Sequence, residues 1–131
     1  MNETEIQVEG ISLATLAGDL QGHFKVKSMD ASRICIVGWA FARYGHVVLV
    51  EVSVEGMVVA NTVPRLRRPD VSEAFPAVDA AGTSGFEVAV EARGSGRSTL
   101  EIQAVLMDGA RHTLGWINVL VASGSHPGRQ S

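Results

Sequence analysis

Three groups of residues have types and spacing suited to recognising a ligand. The first lies on the last apolar run of the chain. Ile117, Val119 and Val121 alternate there with His112, Leu114, Trp116 and Asn118. If the branched residues face the core, Trp116 stands in solvent between an imidazole and an amide. That set could stack on a sugar ring and bond its hydroxyls. If Leu114, Trp116 and Leu120 pack inward instead, the same indole is core, and a one-residue change of register decides between the two. The second group is Pro64-Arg65-Leu66-Arg67-Arg68-Pro69-Asp70. Guanidinium forks suit phosphate or carboxylate, so an anionic glycan or a nucleotide-sugar phosphate fits this patch. Equally, Arg65 and Arg67 can be a solvated face while Arg68 pairs with Asp70 to fix a loop. With no interleaved aromatics, the patch is not a nucleic-acid surface. The third group is Gly38-Trp39-Ala40-Phe41. Alternation puts Cys35, Val37, Trp39 and Phe41 on one face, with Arg33 at its edge. That apolar company makes Trp39 a core tryptophan, with a ligand platform as the other reading. Burying an indole removes about 200 Å² from water, worth up to roughly 5 kcal/mol.

Catalytic and metal chemistry find little support. The four histidines, His23, His46, His112 and His126, are not paired at metal-ligand spacing, and Cys35 is the one cysteine, so no intrachain disulfide can form. Cys35 reads as a small core residue and His46 as a turn residue. The chain has no phosphate-binding GxxxxGKS/T loop and no GxGxxG. Gly82-Thr83-Ser84-Gly85 is one residue short of a GxSxG elbow. The expectation is a protein without a cofactor, a metal or an enzymatic activity of its own.

The elements that must position these residues are strands. The 131 residues are 46% hydrophobic and 19% charged, with a net charge of -3, which suits one globular domain and gives no general attraction to nucleic acid or anionic lipid. Strict alternation marks Phe86, Val88 and Val90, and again Leu100, Ile102, Ala104 and Leu106, as inward faces of half-buried strands. The same rule places strands near 23–29, 33–41, 46–54, 57–62, 85–92, 98–107 and 112–121, with room for one more edge strand over 5–9. Glu55-Gly56 and Asp108-Gly109 read as tight hairpins and Gly94-Ser95-Gly96 as a flexible connection. The fold class is therefore all-β: an immunoglobulin-like, two-sheet antiparallel sandwich of about seven to eight strands, with a small barrel as the alternative. Residues 63–84 hold Pro64, Pro69 and Pro76 and read as a long crossover between the sheets. In it, residues 70–75 make one helical turn, with Asp70 as its cap, Glu73 completing a capping box, Pro76 stopping it and Phe75 as a plug. Residues 1–22 read as an N-terminal segment, 23–122 as the sandwich and 123–131 as a polar, disordered tail; 10–22 have no clear pattern. The first residues lack the basic and apolar regions of a signal peptide, and no apolar run suggests membrane insertion, so the expected location is cytoplasmic.

One ordered set of motifs has a family resemblance. Gly38-Trp39-Ala40, Val50-Glu51-Val52 with the Glu55-Gly56 turn, Arg68-Pro69-Asp70-Val71, Phe75-Pro76 and Gly85-Phe86 follow one another over residues 29–120. The set resembles a bacterial immunoglobulin-like β-sandwich module that accompanies glycosyltransferases and other glycan-assembly enzymes. The resemblance implies a non-catalytic accessory domain, with a glycan or a glycan-assembly enzyme as partner. By position its structural signature is Trp39, Glu51, Gly56, Arg68, Pro69, Asp70, Phe75, Pro76, Gly85 and Phe86. The chain departs from the pattern after Trp39, where Phe41-Ala42-Arg43 stands in place of an expected aspartate. The rival expectation is a protein-interaction or homodimerisation module with no small-molecule ligand.

Overall fold

Eight strands, one helical turn and one 3-10 helix make up the computed structural model, which describes residues 4–16, 18–30, 32–91 and 94–123. The strands are β1 (Thr4–Leu13), β2 (Leu20–Asp30), β3 (Arg33–Ala42), β4 (Val47–Val54), β5 (Met57–Thr62), β6 (Gly85–Glu91), β7 (Gly96–Leu106) and β8 (Arg111–Ser123). One sheet runs β1-β8-β7-β4-β5 and the other β2-β3-β6, with every pairing antiparallel. This is the all-β two-sheet sandwich that the alternation predicts. Its boundaries differ at the N-terminus. β1 is twice the expected length and pairs along β8, Ile6 and Leu20 are core residues, and β2 starts before residue 23. The sandwich thus takes in residues that the sequence pattern leaves outside it. Of the expected tail, Ser123 ends β8, and 124–131 lie outside the described residues.

The main core lies between the sheets. Ile34, Ile36, Phe86, Val88 and Val90 meet Val50, Val52, Leu100, Ile102, Ile117 and Val119 there. Phe24 and Phe86 are its aromatic rings, and two glycines let β2 and the Phe24 side chain approach closely. A Cβ on Gly38 would stand 2.9 Å from the Phe24 Cα and 2.2 Å from the His23 carbonyl oxygen, and one on Gly115 would stand 2.6 Å from the Phe24 ring. The β4–β5 hairpin is as tight as its sequence predicts. Glu55 and Gly56 take φ of 51° and 81°, the left-handed pair that a two-residue turn needs. The β7–β8 connection is longer than expected and uses four residues, Met107 to Ala110, with Gly109 N–H donating to the Leu106 carbonyl at 2.9 Å.

The expected burial of Trp39 between the sheets is not what forms. Ile34, Ile36, Gly38 and Ala40 face the core, so Cys35, Val37 and Trp39 are on the outer face of the three-stranded sheet. Both faces of β3 are apolar because both are covered, which leaves alternation unable to choose between them. The cover is the β5–β6 crossover. Its α1 turn (Pro69–Ala74) and 3-10 helix (Asp79–Thr83) bring Val71, Phe75, Val78, Ala80 and Ala81 onto Trp39 and Phe41, forming a second core. Phe75 meets Phe41 edge-on at 5.0 Å between centroids, and Trp39 stacks on Phe41 at 5.8 Å. Asp70 does not cap the turn as expected. The N-cap position is Arg68, no side chain caps it, Pro69 starts the first turn, and Asp70 follows inside it. Glu73 therefore completes no capping box.

The residues of the Arg68-Pro69-Asp70 and Gly85-Phe86 motifs are joined in one structural knot. Leu66 and Gly85 pair reciprocally, with Gly85 N–H donating to the Leu66 carbonyl at 3.0 Å and Leu66 N–H to the Gly85 carbonyl at 2.9 Å. The Arg68 stem crosses Gly85 so closely that a Cβ there would meet the Arg68 Cγ at 2.9 Å. The Arg68 guanidinium then grips Asp70 with two bonds, of 3.0 and 2.8 Å, and donates to the Gly38 carbonyl at 3.4 Å.

Candidate functional site

The two outcomes left open for β8 are settled by a bulge. Opposite Ile102 the strand carries an extra residue, since Ile102 pairs with Gly115 and Gln103 with Thr113. Leu114 and Gly115 both turn into the core, with Ile117, Val119 and Val121 continuing the inward face. Trp116 and Asn118 then point outward, and Trp116 is 38% exposed. The expected single face of His112, Leu114, Trp116 and Asn118 is thus broken. Leu114 is core, and His112, opposite the buried Ala104, falls on the inner side where the strand outruns the sandwich.

Trp116 and His112 nevertheless line one groove. β1 ends at Leu13, opposite Gly115, so the first residues of β8 have an unpaired edge. The β1–β2 loop passes this edge after Ala14 N–H donates to the Leu114 carbonyl at 2.9 Å. Between loop and edge lies an open groove of about 570 Å³, walled by Thr15, Leu16, Asp19, His112, Thr113 and Trp116. The loop is held in place by Asp19, whose Oδ2 accepts from Tyr44 N–H at 2.9 Å and whose carbonyl accepts from Arg43 N–H at 2.9 Å.

Polar side chains surround the indole on the outer face. Its cross-strand neighbours are Ser12 and Glu101. The Glu101 carboxylate accepts from the Thr113 hydroxyl and, at 3.4 Å, from the Gln103 amide. One strand further, Glu51 is buried on this same face and accepts from Arg111 Nε at 3.1 Å. Glu51 is thus the buried half of an ion pair. Asn118 is outside the groove. Its side-chain oxygen accepts from the Thr99 hydroxyl at 2.9 Å, and it lines a separate shallow depression with Glu9 and Arg97. Asp19, Glu101 and Thr113 are missing from the sequence-based candidates. Asp19 falls in the unpatterned 10–22 segment, and the other two alternate as ordinary outward strand residues.

The arginine patch divides. Arg68 is half-buried and committed to Asp70 and Gly38, whereas Arg65 and Arg67 are exposed at the start of the crossover and make no salt bridge among the described residues. Since β5 lies three strands from β8, these arginines and Trp116 belong to different regions. The bonds from Arg68 hold the Asp70 carboxyl below its usual range. A carboxyl with a lowered folded pKa adds stability above its unfolded value, about 3.9, and loses it as the pH falls through the folded one. Arg68→Ala is therefore expected to lower the melting temperature at neutral pH. The gap from the parent should narrow as the pH drops below the Asp70 transition, as thermal melts across pH would show.

The remaining features are less suited to a ligand. Cys35 lies half-buried outside the core and donates to Glu87 Oε2 at 3.3 Å; burial first, then that bond, push its thiol up, so it is a weak nucleophile. A cavity of about 200 Å³ opens between the sheets at the β6–β7 end. Its walls are core side chains such as Val54, Val90, Leu100 and Val121, and its charges stand at the rim. Among the described residues no group of three or more histidine, cysteine or acidic side chains could hold a metal ion, and no helix is long and apolar enough to cross a membrane. In comparison with known proteins, no family model and no curated protein matches the sequence.

Proposed function

We propose that this chain is a non-catalytic accessory β-sandwich module of glycan assembly in the cytoplasm, and that it binds carbohydrate in the groove beside Trp116. The observation that carries the reading is the indole itself. A large aromatic ring stands 38% exposed in an open groove, with a hydroxyl, two carboxylates and an imidazole around it. An aromatic platform covers the apolar face of a sugar ring, while Asp19, Glu101 and the oxygen of the Thr113 hydroxyl accept from its hydroxyls and His112 adds a donor. The motif resemblance supports the glycan-assembly setting. Arg65 and Arg67 are a second contact region for an anionic glycan, and Arg68 is not, because its guanidinium is already bonded.

The expected affinity is low. A monosaccharide has about 12 heavy atoms and gains roughly -4 kcal/mol at -0.3 kcal/mol per atom, a millimolar dissociation constant. Thermal shift is a poor test, because ligand at ten times its dissociation constant stabilises by only about 1.4 kcal/mol. Amide and indole NMR signals, followed as mono- and oligosaccharides are added to tens of millimolar, are the better one. Saturable shifts are expected at the Trp116 indole and the His112–Thr113 amides, with the Trp39 indole unmoved. Trp116→Ala is expected to abolish them while costing about 1 kcal/mol of stability or less, since the side chain is outside the core. A flat response at both indoles and in the arginine-rich loop removes carbohydrate from the reading. The other reading, an interaction module with no small-molecule ligand, rests on the uncharged edge strand β5.

A further inference from the structure

Four strands end the two sheets: β1 and β5 in the larger, β2 and β6 in the smaller. An open strand edge is a template for pairing, and proteins guard it with charge. Three of these edges are guarded: β1 carries Glu5 and Glu9, β2 carries Lys25 and Lys27, and β6 carries Glu87 and Glu91. β5 reads Met57-Val58-Val59-Ala60-Asn61-Thr62 and has no charge at all. Its only pairing is with β4, and no other backbone bond among the described residues reaches it. Around it Met57, Val58, Val63 and Leu66 are all exposed, Met57 by 70%. A bulge turns Val59 toward the core, where it packs beside Ala60.

The flanks of β5 indicate what covers this edge. Glu55 stands in the turn before the strand, and Arg65 and Arg67 follow it, exposed and without a salt bridge among the described residues. The segment is thus acidic at its start, neutral through the strand and basic at its end. Antiparallel pairing with a copy of itself, centred near Ala60, brings the Glu55 end of each copy's strand to the Arg65–Arg67 end of the other's. The other three edges carry their charges within the strand, and Glu9, Lys27, Glu87 and Glu91 are already paired with Arg97, with each other or with Arg33, so none offers this acidic start and basic end. We infer that a second copy of this chain pairs with β5 in antiparallel fashion, joining two five-stranded sheets into one of ten strands. This goes beyond the glycan reading and does not depend on it. The Trp116 groove lies at the opposite edge of the sheet, so both grooves of the dimer stay open, whereas Arg65 is taken into the seam and only Arg67 remains there for an anionic glycan.

The test is the mass of the full chain by analytical ultracentrifugation, from micromolar to near-millimolar concentration. A contact between two six-residue edges is small, so a dimer with a dissociation constant of roughly 10–100 µM is expected. Val58→Lys sets an ammonium group on the edge of each copy and is expected to weaken the dimer about tenfold or more, with circular dichroism and melting unchanged. Arg65→Glu, which leaves the strand itself intact, is expected to weaken it too, and adding Glu55→Lys to restore it. A chain that stays monomeric throughout overturns the inference, as does a dimer that Val58→Lys and Arg65→Glu leave unchanged. Mass reads the dimer and the Trp116 indole reads carbohydrate, so either proposal can fail alone.

Discussion

Gly38→Ala is expected to destabilise the domain by about 3 kcal/mol or more, read as a lower midpoint in urea or a lower melting temperature. The added Cβ would stand 2.2 Å from the His23 carbonyl oxygen, 2.9 Å from the Phe24 Cα and 2.8 Å from the Phe86 ring. The first two are backbone atoms of β2, which pairs with β3 at this point through His23–Trp39 and Phe24–Gly38. No rotamer change can make room, so the strands must part, and overpacking that moves backbone costs at the upper end of the usual 1–3 kcal/mol or beyond it. Parting them also disturbs the Gly38 carbonyl, to which Arg68 donates, and so reaches the crossover. Gly45→Ala is the control. The nearest atom to its Cβ is 3.9 Å away, and its φ is not positive, so a change within about 0.5 kcal/mol is expected. Equal stability of the two variants would show that the sheet does not close on Gly38 as described.

The same glycine shows how far the sequence could be read. Alternation identifies strands wherever one face is polar, as in β6 and β7, and the turn residues Glu55-Gly56 fix the β4–β5 hairpin. It fails where a strand is apolar on both faces. In β3 the set Ile34, Ile36 and Ala40 competes with Cys35, Val37 and Trp39, and the second set holds the larger ring but faces outward. It fails again at β8, because a bulge adds one residue to the period, and nothing in Thr113-Leu114-Gly115 announces it except a glycine. The groove was half legible for related reasons. Trp116 and His112 stand out by residue type, but the loop that makes them a groove lies in the unpatterned 10–22 segment. The Arg68-Pro69-Asp70 and Gly85-Phe86 segments start seventeen residues apart in the chain, and alternation says nothing of the contact between them. Gly85 lets the Arg68 stem pass, Arg68 holds Asp70 and Gly38, and the crossover is locked onto the outer face of β3.

That lock has a second half, the aromatic cluster, and Phe41→Ala is expected to open it at a cost of about 3–5 kcal/mol. Phe41 is 2% exposed although it lies outside the space between the sheets. Its burial depends largely on the crossover, since its neighbours aside from Trp39 of β3 come from there: the Phe75 ring and the side chains of Val71 and Ala81. The loss should therefore be uneven. Amides of α1 and the 3-10 helix are expected to exchange faster in Phe41→Ala by a larger factor than those of β7 and β8, and the Trp39 indole should become more exposed to water. Trp39→Ala should cost less than Phe41→Ala, because Trp39 is only half-buried at the edge of the same cluster. A uniform rise in exchange over both sheets would mean that the crossover and the main core unfold as one unit. Selective loss from residues 69–83 would mean that a crossover held by one ion pair and three aromatic rings is a separate layer of the fold, laid on a sandwich that closes without it.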